Sequence, residues 1–159
     1  MKPNGIKFLA VACLSIIYLF SSYSYAQSKG MVSFESSYSV TETKQRLINI
    51  LDKKGFKIFI QIDHSGGAKA VNINLPETHV IIFGKPQVGS KLMQCNPSVA
   101  IDLPQKMLIW KESNQVKLAF NSPKFLQKRH QMDGCEPLLK KINSVLNKIA
   151  TKATSPKTS

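Results

Sequence analysis

Acidic residues are scarce in this chain: 9 Asp and Glu stand against 22 Lys and Arg, a formal charge of +13 over 159 residues. Arrangements that mark a reaction are scarcer still. No two of His64, His79, His130, Cys95 and Cys135 lie at CxxC, HxxxH or HExxH spacing. A metal site drawing on them, with Asp63 and Asp102, would have to be assembled entirely by the fold. There is no GxSxG elbow to expose a nucleophilic serine. Gly66-Gly67 and Gly84-Lys85 lack the spacings of a P-loop or a dinucleotide fingerprint and read as turn glycines. The basic residues form no run of five, and no RNP-like, zinc-finger or helix-turn-helix pattern accompanies them, so no specific nucleic-acid binding is expected. No internal repeat is present, and no catalytic residue, metal or cofactor is assigned from motifs.

What is there begins with an address. Lys2 and Lys7 precede an apolar run, Phe8 to Phe20, and Ser24-Tyr25-Ala26 puts small residues at the positions a signal peptidase reads. The run is shorter than the ~20 residues needed to span a bilayer. Residues 1–26 therefore read as a signal peptide cleaved near Ala26, giving a periplasmic or secreted protein with no transmembrane segment after cleavage. A lipoprotein reading of Cys13 fits less well, because apolar sequence continues from Leu14 to Phe20. Removing Lys2 and Lys7 with the leader lowers the charge from +13 to +11. Such a chain adheres non-specifically to anionic envelope surfaces. The remaining residues suffice for one domain.

Two cysteines survive cleavage. Helical spacing puts Cys95 with Val88 and Leu92, and Cys135 with Leu138, Leu139 and Ile142. Both thiols then face the core, either as a disulfide or as two buried free cysteines. An exported context favours the disulfide, to which the chain-entropy model assigns about 4 kcal/mol.

Val32 to Ser37 alternates as a strand. Ser39 and Glu42 have capping-box spacing ahead of a helix with Val40, Leu47, Ile50 and Leu51 on one face, ended by Gly55. Phe56 to Asp63 alternates with Phe56, Ile58, Ile60 and Ile62 on one buried face. A break at His64 to Gly67, a helical turn over Ala68 to Asn72, a buried strand from His79 to Phe83 and a turn at Gly84-Lys85-Pro86 follow. Gln87 to Cys95 reads as a short helix, and Pro97 to Ile101 as a further turn. Met107 to Lys111 and Val116 to Phe120 form a hairpin closed by Glu112 to Gln115. After Asn121-Ser122-Pro123 comes a polar segment containing Lys128-Arg129-His130. Leu138, Ile142, Val145 and Ile149 then mark a C-terminal helix with Lys148 and Lys152 at its end. The expected fold is α/β of the α+β type. It is a single two-layer domain over residues 30–150, with a mostly antiparallel or mixed sheet, helices on one face and a C-terminal helix. Residues 151–159 read as a disordered tail.

Asp63-His64, Ala68, Phe83-Gly84-Lys85-Pro86, Leu92-Met93-Gln94, Asn96-Pro97, Asp102-Leu103-Pro104, Asn121-Ser122-Pro123 and Arg129-His130 occur in that order. This series resembles the domain of unknown function (DUF) 302 family over roughly residues 36–130. The resemblance implies a compact α/β fold and no assigned reaction. Lys85 stands where the family more usually carries Asn, and Cys95 where a small residue is more common. A charge at Lys85 would alter which ligand a site there holds.

The leading functional expectation is a non-enzymatic module of the cell envelope that binds a small ligand or an envelope protein. Its candidate ligand-binding residues are His64, Lys85, Gln94, Asn96, Asp102 and His130, arranged as a small polar pocket near Lys85. A small hydrolase or redox enzyme using His64 or His130 with Asp102 or Cys95 is the alternative, and a metal or cofactor carrier the second. An exposed edge strand would support a homodimer. Trp110 reads as core.

Overall fold

The structure is a computed structural model that describes residues 30–156. The leader at residues 1–26 lies outside the described residues, as do residues 157–159. Five strands, β1 (Met31–Ser36), β2 (Lys57–Asp63), β3 (Thr78–Gly84), β4 (Gln105–Glu112) and β5 (Gln115–Asn121), form one sheet in the order β1-β5-β4-β3-β2. Every neighbouring pair is antiparallel. β1 and β2 are therefore the two edges.

Two helices build the main core against this sheet. The first, α1 (Val40–Lys53), starts at Ser39, whose hydroxyl accepts from the Glu42 backbone N–H at 3.1 Å. It ends before Gly55, whose φ of +65° is a conformation glycine adopts without strain. Val40, Leu47 and Leu51 point from α1 onto Ile81 and Phe83 of β3, Met107 and Ile109 of β4, and Leu118 and Phe120 of β5. The alternation within each strand selects that face, because successive side chains point to opposite sides of a sheet. Trp110, expected in the core, follows Ile109 and so lies on the opposite face, half-buried. The long last helix, α5 (Glu136–Thr154), closes this core with Leu146, Ile149, Ala150 and Ala153.

α5 corrects the expected disordered tail. It continues to Thr154, and Ala153 and Thr154 are buried. Arg46 of α1 caps its end, donating from Nε to the Ala153 carbonyl at 3.0 Å and from one terminal nitrogen to the Lys152 and Ser155 carbonyls at 3.1 and 3.0 Å. A cation beside the last carbonyls of a helix satisfies both their hydrogen bonding and the dipole.

β2 corrects the expected single buried face. A register shift between Ile58 and Ile60 breaks the alternation. Ile58 packs on the main core while Ile60 is 54% exposed. An irregularity of this kind is common on an edge strand.

A second, smaller core supports the part of the chain that follows β3. It joins Leu92 of α3 (Pro86–Cys95), Val99 of the 3₁₀ helix η1 (Pro97–Asp102), Leu126 of α4 (Pro123–Arg129), Met132 and Leu139 of α5. α4 replaces the expected polar segment. Pro123 opens it and Leu126 anchors it, too little apolar surface to give a period in the sequence. Another short helix, α2 (His64–Ala70), begins where a break was expected. Its start is capped by Asp63, which accepts from the Gly66 N–H at 2.8 Å.

Candidate functional site

The two cores do not meet everywhere. α3 is short, and Leu92 is the residue it buries. Gly89, in mid-helix, leaves room where a Cβ would come no nearer than 3.9 Å to Leu103. The result is a cavity of about 900 Å³ between the end of β3, α3, the Leu103-Pro104 segment and α5. That volume is at the upper end of the range typical for small-molecule sites. Its body is apolar, with Phe56, Phe83, Leu103, Ile142 and Val145 in the wall. Phe59 and Met93 also line it, and they are 41% and 38% exposed.

The charged residues of the lining are all of one sign. Lys54, Lys85, Lys91 and Lys141 line the cavity, and among the described residues no Asp or Glu does. Lys85 is the most constrained of the four. Its Nζ donates to the Lys54 carbonyl oxygen at 2.6 Å and lies 4.8 Å from the centroid of the Phe56 ring. Phe56 in turn meets Phe83 edge-on at 5.5 Å. Lys85 is also the N-cap residue of α3, where it makes no side-chain capping bond, and the first turn of α3 contains no acid. The positive end of α3 and the Lys85 ammonium thus share one corner of the cavity.

Of the other expected site residues, none lines this cavity. The residues of the small polar pocket expected near Lys85 lie outside this lining: Asn96 is bonded to the backbone, Asp102 and His130 to each other, and Gln94 and His64 are exposed. Asn96 turns inward to cap η1, accepting from the Ser98 N–H at 3.0 Å. Gln94 is exposed on α3 and His64 is exposed at the start of α2. Asp63 next to His64 accepts from the Ser65 hydroxyl at 2.6 Å and lies 3.8 Å from His79 Nδ1. The Ser65 hydroxyl first, then the Gly66 N–H, hold the Asp63 carboxyl below its ordinary value.

Asp102 and His130 do come together. Asp102 Oδ2 lies 2.6 Å from His130 Nε2, and His130 Nδ1 lies 2.9 Å from the Ser98 hydroxyl. Arg129 sits 3.6 Å from the other Asp102 oxygen. Ser98 was not legible as a partner, since nothing in Asn96-Pro97-Ser98 distinguishes it from other turn serines. The trio contains an alcohol, an imidazole and a carboxylate, and so could relay a proton. It is nevertheless placed as a tie: His130 is buried at the end of α4 and both partners belong to η1. Buried polar groups require such partners.

Cys95 ends α3 and Cys135 precedes α5, and the two sit at disulfide distance with their Cα atoms 6.3 Å apart. This removes Cys95 from any nucleophilic role while the pair is joined. No group of three or more His, Cys, Asp or Glu suited to a metal ion occurs among the described residues.

A family model for the domain of unknown function DUF302 matches residues 32–149. The chain belongs to the DUF302 family. The match extends past the expected 36–130 to take in most of α5. The crystal structure of an uncharacterized conserved DUF302 protein from Bacillus stearothermophilus has a TM-score of 0.71, with 18% identity, over 77% of this chain and 97% of that one. At that identity it establishes the DUF302 fold alone. Among curated proteins, a Fluoride-specific ion channel FluC 1 of Brucella suis biovar 1 (strain 1330) is 40% identical over 104 residues, 65% of this chain and 41% of that protein. A FluC 1 of Brucella abortus biovar 1 (strain 9-941) is 40% identical over the same length, 38% of that protein. This DUF302 chain therefore spans about two fifths of the length of the curated relatives it matches. Among its described residues no helix is long and apolar enough to cross a membrane.

Proposed function

We propose that this protein is an exported DUF302 binding module that holds a small apolar ligand between β3, α3 and α5 without transforming it. The observation that carries this reading is the cavity of about 900 Å³, walled by aromatic and aliphatic side chains. Concave, mostly apolar sites with a few polar groups at the edge are where small molecules bind. The absence of the Asp102–His130–Ser98 trio from its lining supports binding over catalysis. The leader pattern at residues 1–26 and the Cys95–Cys135 pair at disulfide distance support an oxidising compartment outside the cytoplasm.

Native mass spectrometry of the protein isolated from its own envelope fraction tests the reading. A mature chain starting at Gln27, carrying a non-covalent adduct that dissociates on activation, is the expected result. A bare chain that also leaves 1-anilinonaphthalene-8-sulfonate fluorescence unchanged would remove it.

The Brucella relatives favour a second reading. There, sequence of this kind forms part of a protein named as a fluoride-specific ion channel. On that reading this chain works beside a membrane ion channel. Cells lacking the chain would then tolerate less fluoride, and unchanged tolerance would count against it.

A further inference from the structure

We infer that the ligand of this cavity is a single-chain amphiphile with a carboxylate head, a long-chain fatty acid in chemical class, held with its head at Lys85 and its chain against Phe83, Leu103 and Ile142. This rests on the binding reading above and adds the identity of the ligand.

Three features select the negative head. First, every charged side chain in the lining is a lysine. A lining charged with one sign, with no acid of its own, is complementary to an anion. Second, Lys85 occupies an N-cap, a position where a positive charge opposes the helix dipole and a neutral or negative acceptor is preferred. An anion accepting from the ammonium neutralises that charge beside the start of α3. Third, Lys85 is pre-positioned by the Lys54 carbonyl and the Phe56 ring, so little side-chain freedom is lost on binding.

The wall selects the tail. Its width is apolar from Phe56 to Val145, and Phe59 and Met93 leave large apolar surfaces exposed at the lining. Large apolar groups left exposed beside a cavity indicate that something covers them. The volume corresponds to one drug-sized molecule, which favours a single free chain over a bilayer surface.

The test is competition against 1-anilinonaphthalene-8-sulfonate by dodecanoate, dodecanol and dodecyltrimethylammonium, which share a tail and differ in head charge. Dodecanoate should bind at least about tenfold more tightly than dodecanol, and the cation most weakly. Each methylene added to the carboxylate should raise affinity by up to about fourfold. Raising salt should narrow the carboxylate's advantage as the Debye length shrinks. Lys85→Met should sharply reduce that advantage while changing dodecanol binding far less. Lys85→Asn should do the same while supplying a cap to α3, so its loss of carboxylate selectivity cannot be ascribed to unfolding. Equal affinity for the alcohol and the carboxylate, or unchanged selectivity in both variants, overturns the inference and leaves an apolar site standing. Failure of all three amphiphiles to bind removes the binding reading as well. Binding to phosphatidylglycerol vesicles that survives Gly89→Leu, with no competition by dodecanoate, would place the acidic ligand on the outer surface and overturn the inference.

Discussion

The Lys85 ammonium donates to the Lys54 carbonyl oxygen at 2.6 Å, tying the N-cap residue of α3 to the C-cap residue of α1. Lys85 thereby holds the N-cap position of α3 without offering an acceptor to its first turn. Lys85→Asn restores a capping acceptor. The variant should be more stable by about 0.5–1 kcal/mol in urea denaturation, while its affinity for dodecanoate falls. Lower stability, with affinity unchanged, would mean that Lys85 is there for the fold.

The Cys95–Cys135 pair joins the end of α3 to the start of α5, across the second core and beside the cavity. A thiol assay on denatured, unreduced mature protein should find no free thiol. Reduction, or a Cys95→Ser, Cys135→Ser double variant, should lower stability by about 2–4 kcal/mol. Two titratable thiols in the unreduced protein would contradict this.

The Asp102–His130–Ser98 tie predicts an uneven response to substitution. His130→Ala strips a buried partner from Asp102 and should cost about 1–3 kcal/mol. Ser98 is exposed, so Ser98→Ala should change stability by less than about 0.5 kcal/mol. If the trio were catalytic, Ser98→Ala would instead abolish an esterase activity present in the parent protein.

Asp63 has a folded-state pKa below its ordinary value of 3.8. Its contribution to stability is therefore present above the unfolded value and is lost as pH falls through the lower folded value. Carboxyl-carbon NMR should show Asp63 titrating below the range of exposed aspartates. Ser65→Ala removes the largest cause and should move that titration upward. An unmoved titration would assign the shift to other groups.

The end of α5 should be structural. Ala153 is fully buried and Arg46 holds the final carbonyls. Truncation after Ala150 should destabilise the domain, whereas truncation after Pro156 should not. Arg46→Ala should cost about 1–2 kcal/mol through lost charge-assisted hydrogen bonds.

Legibility followed the length of the periodic pattern. α1 and α5 repeat their apolar residues over several turns, and the β4–β5 hairpin alternates cleanly on both sides of its turn, so all three were readable. α4 places only Pro123 and Leu126 in the interior, and a single anchor has no period. α2 was hidden because Gly66-Gly67 reads as a break, whereas the Asp63 side chain supplies the missing start. The exposure of Ile60 depends on a register shift set by pairing with β3, which β2 alone does not encode. At the candidate site, Lys85 was visible as an anomaly between Gly84 and Pro86. Its surroundings were not, because Phe56, Leu103 and Ile142 come from separate elements that only packing brings together. Gln94, Asn96 and His64 were polar residues in turns or on a surface, and local capping or solvent accounts for them.

The most direct measurement is an amide NMR titration of the mature protein with dodecanoate. The account predicts shifts concentrated from Gly84 to Met93 and from Leu138 to Leu146, the two segments that face each other across the cavity. No shifts with dodecanoate in large molar excess, or shifts confined to the opposite face of the sheet around Trp110, would contradict it.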